Sequence, residues 1–212
     1  MMPPNRPLSD RPVWLPFCLL IAALALRVLG QHHILPGSWV NLSPMMALAF
    51  TGAVLFPKPL PWWSWVLILL GVDLMSEGLA WWSQANGHLE VLLAYGCYAM
   101  AAFWGSRLRN RAGVLDTLLG TVACSTLFFL VTNSLSWWIN PVYAKTAAGW
   151  LQALTVGVPN VPIPTLVFFR NSLIADLCGS AVLLALYNGE ALLRNLRTLP
   201  LIGWSKAQVA TA

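Results

Sequence analysis

Apolar residues come in long runs along this chain, each broken by a short polar or proline-rich stretch. Neither alternation of period two nor one-sided helical patterning dominates, so the runs read as helices that are apolar all round. The first, residues 13–29, sits at the lower limit of about 17 residues for crossing a hydrocarbon core. Residues 44–56 follow after a marked helix start, Asn41-Leu42-Ser43-Pro44, in which Ser43 is placed to cap free amides and Pro44 to occupy the first helical position. Pro57, Pro59 and Pro61 end that short run, leaving open whether it tilts, extends or re-enters. Residues 62–82 are bounded by Trp62, Trp63 and Trp65 at one end and Trp81 and Trp82 at the other, the pattern of interfacial aromatic belts. Runs 89–104, 114–138 and 165–186 complete the series. In the long connection 140–164, residues 144–156 predict a short helix lying at the interface or dipping back.

The pattern therefore predicts an all-α, polytopic membrane bundle of about six transmembrane helices, with a short outer interfacial or re-entrant helix between the fifth and sixth. Residues 1–12 read as a disordered cytoplasmic leader, 13–188 as the transmembrane domain and 189–212 as a basic cytoplasmic tail. Composition agrees: 58% of residues are hydrophobic, 9% are charged and 12 are Trp, where soluble proteins carry about 25% charged residues. The four cysteines each fall inside an apolar run without CxxC spacing and read as small buried hydrophobes.

The net charge of +5 is small, and its distribution says more than its sum. With the N-terminus inside, the inner segments hold Arg6, Arg11, Lys58, Arg107, Arg109, Arg111, Arg194, Arg197 and Lys206, against Lys145 in the outer loops. This asymmetry predicts a multi-pass protein of the cell inner (plasma) membrane with both termini cytoplasmic, a lipid bilayer as partner and no nucleic acid.

Polar residues inside the runs are the candidate chemistry, because each needs a partner, a cavity or a ligand. The predicted topology puts Arg27, Asn41, Glu77, Asn133, Arg170 and Asn171 at one outer level and Lys145 in the outer loop, as substrate-binding candidates. Asp73 and Asp176 fall nearer mid-membrane and, with Ser172, are structural or coupling polar residues. Ser172, Asp176 and Ser180 recur every four residues, a stripe that should face the bundle, whereas Arg170 lies off it. Two readings stand side by side: capture of a small polar or zwitterionic molecule by the outer group, and mutual neutralisation that holds the bundle in register. Ala49 and Ala53 have the small-xxx-small spacing of a partner-helix contact.

Enzyme chemistry has no footing in the pattern. There is no GxSxG elbow, HExxH helix or P-loop, and His32 and His33 are adjacent loop residues without further ligands at zinc spacing. No cofactor and no metal is expected, and any coupling to ATP must come from a partner.

Asn41-Leu42-Ser43-Pro44 with Ala47 and Ala49, Thr132-Asn133, Tyr143-x-Lys145-Thr146-x-x-Gly149, and Phe168-Phe169-Arg170-Asn171 with Asp176 together resemble an uncharacterised family of bacterial six-helix membrane proteins. That family is similar in size and topology to the S components of energy-coupling factor (ECF) vitamin transporters. The resemblance implies a solute-binding subunit that captures a small-molecule ligand, a vitamin or other small polar metabolite, from outside, and a transmembrane coupling subunit with ATPases as partners. Two features depart from those proteins: the Ala-xxx-Ala spacing is on the second run rather than the first, and residue 3 is Pro, without the amino-terminal Met-His of metal-transporting members. A scaffold that assembles other membrane proteins and a stand-alone proton-coupled carrier are the alternatives.

Overall fold

The structure, a computed structural model, describes residues 44–56, 61–77, 87–109, 111–159 and 161–203, together with isolated helical positions 14, 18 and 21. All regular structure among the described residues is helical, in the order α1 (Met45–Leu55), α2 (Trp62–Glu77), α3 (Gly87–Leu108), α4 (Val114–Ile139), α5 (Ala147–Thr155) and α6 (Thr165–Leu193). The expected span 13–29 and the loop with His32 and His33 lie otherwise outside the described residues, as does the run beyond Glu77 toward Trp82.

α1 is the centre of the molecule. All eleven of its residues are buried, as an apolar sequence without a polar face requires. It packs on α3 above all, and α6, α4 and α2 close the remaining sides. Phe56, which precedes Pro57, has extended backbone (ψ 150°) and ends the helix, because a following proline disfavours the helical region. At about 16 Å, α1 is too short to cross a bilayer by itself. Phe50 fills the space between neighbours: a Cβ on Gly120 of α4 would meet its ring at 2.2 Å, and one on Gly105 of α3 would meet its carbonyl oxygen at 2.4 Å.

α4 and α6, of 26 and 29 residues, are the two described helices long and apolar enough to span a membrane. α6 runs past the expected end at 186 to Leu193, and the chain then folds back. Asn195 adopts a positive φ of 53°, and the Leu196 amide donates to Ala191 O at 2.7 Å, a left-handed turn that reverses the chain. Leu199 then donates to Asn188 Oδ1 at 2.8 Å, while the Val114 and Leu115 amides donate to Pro200 O and Leu201 O at 2.9 Å. These carbonyls serve the first amides of α4, which have no partner within their own helix.

α5 packs against α4 and α6. Thr146 opens it, accepting from the Gly149 amide at 3.2 Å, and Gly157 closes it with φ +85°, its amide donating a hydrogen bond to Gln152 O at 2.8 Å, a backbone position that glycine takes without a Cβ clash.

Candidate functional site

Two polar stripes meet at α1. On α4, Thr117, Thr121 and Ser125 recur every four residues and are buried; on α6, Asp176 and Ser180 do the same. Residues four apart stack on one helical face, and here the two faces run antiparallel. Ser125 Oγ donates to Asp176 Oδ2 at 2.7 Å, and one turn away Thr121 Oγ1 lies 3.0 Å from Ser180 Oγ. Thr51 of α1 completes a hydroxyl triangle, 2.7 Å from Ser180 and 3.1 Å from Thr121. Thr121 is also in reach of Thr117 O at 3.0 Å. Three hydroxyl hydrogens cannot fill these four contacts at once, so the cluster has more than one hydrogen arrangement.

Asp176 holds the start of α1. The Met46 and Ala47 amides both donate to its Oδ1 at 3.0 Å. All three donors on this buried carboxylate are neutral groups, and the positive end of the helix dipole faces it. Pro44, the residue before α1, provides no side-chain cap, so the capping oxygen comes from a residue 129 positions away from Ala47. That long-range cap fixes where α1 begins. Pro44 lies against Gly179, whose Cβ would come within 2.7 Å of the proline ring. Gly179 is about 13 Å further along α6 than Arg170. α1 therefore begins partway along α6, beside Gly179. Ser43, the expected cap, and Asn41 lie outside the described residues.

The other end of α1 is held by a cation. Arg109, just past α3, donates from Nε and Nη2 to Ala53 O at 3.1 and 2.9 Å, where the helix dipole is negative. Burial pulls the Arg109 pKa down from its ordinary value, yet a guanidinium stays charged in proteins. Ala49 and Ala53 are completely buried; they are packed within the protein's own core, in contrast to the expected contact with a separate partner helix.

The residues expected to bind substrate are placed as follows. Arg27 and Asn41 lie outside the described residues, as does the side chain of Glu77. Asn133 is half-buried and donates to Phe129 O on its own helix at 2.8 Å. Lys145 is committed to capping α4: its ammonium donates to Trp137 O, and to Asn140 O at 2.8 Å. Arg170 is exposed and donates to Asn171 Oδ1 at 3.2 and 3.4 Å, while Asn171 is buried. Phe129 of α4 stacks on Phe169 of α6 at 4.3 Å, which joins the stretches carrying Asn133 and Arg170. Ser172 bonds back to Phe168 O at 3.0 Å. Asp73 accepts a hydrogen bond from the Tyr95 hydroxyl, joining α2 to α3.

Ser125, Thr51, Thr121 and Arg109 are the residues that sequence reasoning did not single out. The spacing of Thr117, Thr121 and Ser125 repeats that of Ser172, Asp176 and Ser180 and was the available signal. Nothing local marks Arg109 among its arginine neighbours. Among the described residues no group of three or more His, Cys, Asp or Glu is placed to hold a metal ion.

Residues 8–197 match the family described as "Family of unknown function (DUF6580)", and the chain belongs to that family. No curated protein and no solved structure matches the chain.

Proposed function

We propose that the chain is a multi-pass inner-membrane protein with both termini in the cytoplasm. In this reading it captures a small polar metabolite or vitamin-like compound from the outer side, as an S-component-like subunit of a transporter. Arg170 is the observation that carries the reading. It sits near one end of a long apolar helix, is an exposed residue, and among the described residues its hydrogen bonds run to the neutral side chain of Asn171. An arginine there is expensive without a partner, and its planar fork suits a carboxylate or phosphate of a ligand. Asn133 on the facing helix and the Phe129–Phe169 stack between the two helices supply amide and aromatic surface. In this reading partner ATPases supply the energy coupling, since the sequence has no P-loop.

The test is mass spectrometry of small molecules that co-purify with the full chain in nanodiscs, followed by titration of each compound found. Arg170→Ala should weaken binding about 10- to 100-fold, the worth of a charged hydrogen bond, with Arg170→Lys intermediate. Lys145→Ala should leave affinity unchanged, since Lys145 caps α4. Binding and uptake indifferent to Arg170 and Asn133 substitutions sink the proposal. Uptake by the chain alone in proteoliposomes under a pH gradient favours the proton-coupled carrier instead.

A further inference from the structure

The end of the molecule where α3 finishes, α4 starts and α6 finishes combines two kinds of exposed side chain. Leu192, Leu193, Leu201 and Ile202 are 68, 80, 64 and 66% exposed. Arg107, Arg111, Arg194 and Arg197 are exposed at the same end. The hydrogen bonds of residues 199–203 to Asn188 and to the start of α4 hold this end together. They also fix the direction of the side chains: Leu199 turns inward and is buried, while Leu201 and Ile202 are held outward. An aliphatic pair presented to the outside by a hydrogen-bonded backbone calls for an apolar surrounding.

The charge beside it selects which one. Among the described residues, both carboxylates at this end are engaged: Asp116 accepts from the Gly113 and Gly203 amides at 2.8 and 2.6 Å, and Glu190 pairs with Arg194 at 3.0 Å. Arg107 lies over the Phe103 ring at 4.7 Å, its stem along an apolar surface. Positive charge therefore outweighs negative charge around an outward apolar rim, the complement of an anionic headgroup above acyl chains.

We propose that this end is a docking collar for anionic phospholipid, with Arg111 and Arg197 taking the headgroup phosphate and Leu201 and Ile202 entering the acyl boundary. The inference rests on the multi-pass reading given above. The folded-back segment 196–203 is then a membrane-interface element, built so that its backbone is satisfied by the protein and its side chains by lipid.

The experiment places the full chain in nanodiscs of phosphatidylcholine alone or with phosphatidylglycerol, and reads the thermal unfolding midpoint and the lipid retained in native mass spectrometry. Phosphatidylglycerol should raise the midpoint and be retained preferentially. Arg111→Gln and Arg197→Gln should each reduce that preference about fivefold, and Leu201→Ser with Ile202→Ser should reduce retention of both lipids. Glycerol phosphate added to phosphatidylcholine discs should do neither; a full midpoint shift from it overturns lipid docking in favour of a soluble phosphate. Equal midpoints and equal retention in the two lipids also overturn it, and leave the surface to a protein partner. Alkaline carbonate extraction separates the two failures: release from membranes removes the multi-pass reading, whereas retention with indifference to headgroup removes the collar alone.

Discussion

Ser125 donates its hydroxyl hydrogen to Asp176 at 2.7 Å, across the interface of the two longest described helices. The same carboxylate receives the first amides of α1, so one side chain joins α4, α6 and the central helix. Replacing Asp176 by Ala strands two buried amides and a hydroxyl and should destabilise the protein by about 3 kcal/mol or more. Asp176→Asn should cost much less, because its Oδ1 can keep both amides and its Nδ2 can donate to Ser125. Unfolding midpoints of the two variants in one detergent check this; equal losses contradict the capping role.

The Phe50 ring occupies the place of a missing side chain on α4. Gly120→Ala should therefore destabilise by about 1–3 kcal/mol through overpacking. Pairing it with Phe50→Leu, which shortens the intruding ring, should recover part of the loss. A double-mutant cycle reads the coupling directly.

At the far end of α1, Arg109→Ala removes both hydrogen bonds to Ala53 O. A destabilisation of about 1.5–3 kcal/mol is expected for contacts made by a charged donor. Arg109→Lys should recover less than half, because an ammonium lacks the planar fork. Hydrogen exchange of α1 amides after each substitution would localise the effect to the last turn.

Asp116 gathers the Gly113 and Gly203 amides. Asp116→Ala should loosen residues 196–203 from α4 while leaving the α1 core intact. Limited proteolysis should then cut within that segment at an increased rate, with little change in the global midpoint. Unchanged cleavage would mean that the backbone bonds to Pro200 and Leu201 suffice.

How much of this was legible in the chain differs from element to element. The apolar runs gave α4 almost to the residue, and the prolines marked the end of α1, because local sterics and side-chain transfer to an apolar phase act without tertiary context. The stripe of Ser172, Asp176 and Ser180 was likewise readable from helical spacing; Asp176 and Ser180 are buried, whereas Ser172 is half-buried and bonds back to its own helix. The depth of α1, the destination of Arg109 and the fold-back after Asn195 were not. Each depends on a hydrogen bond between residues far apart in sequence, such as Arg109 to Ala53 or Leu199 to Asn188. Among the described residues, the sequence by itself determined which segments are helical and which polar residues share a face. Only the tertiary structure decided which buried backbone groups those polar residues satisfy, since an unpaired helix end can be capped from anywhere along the chain.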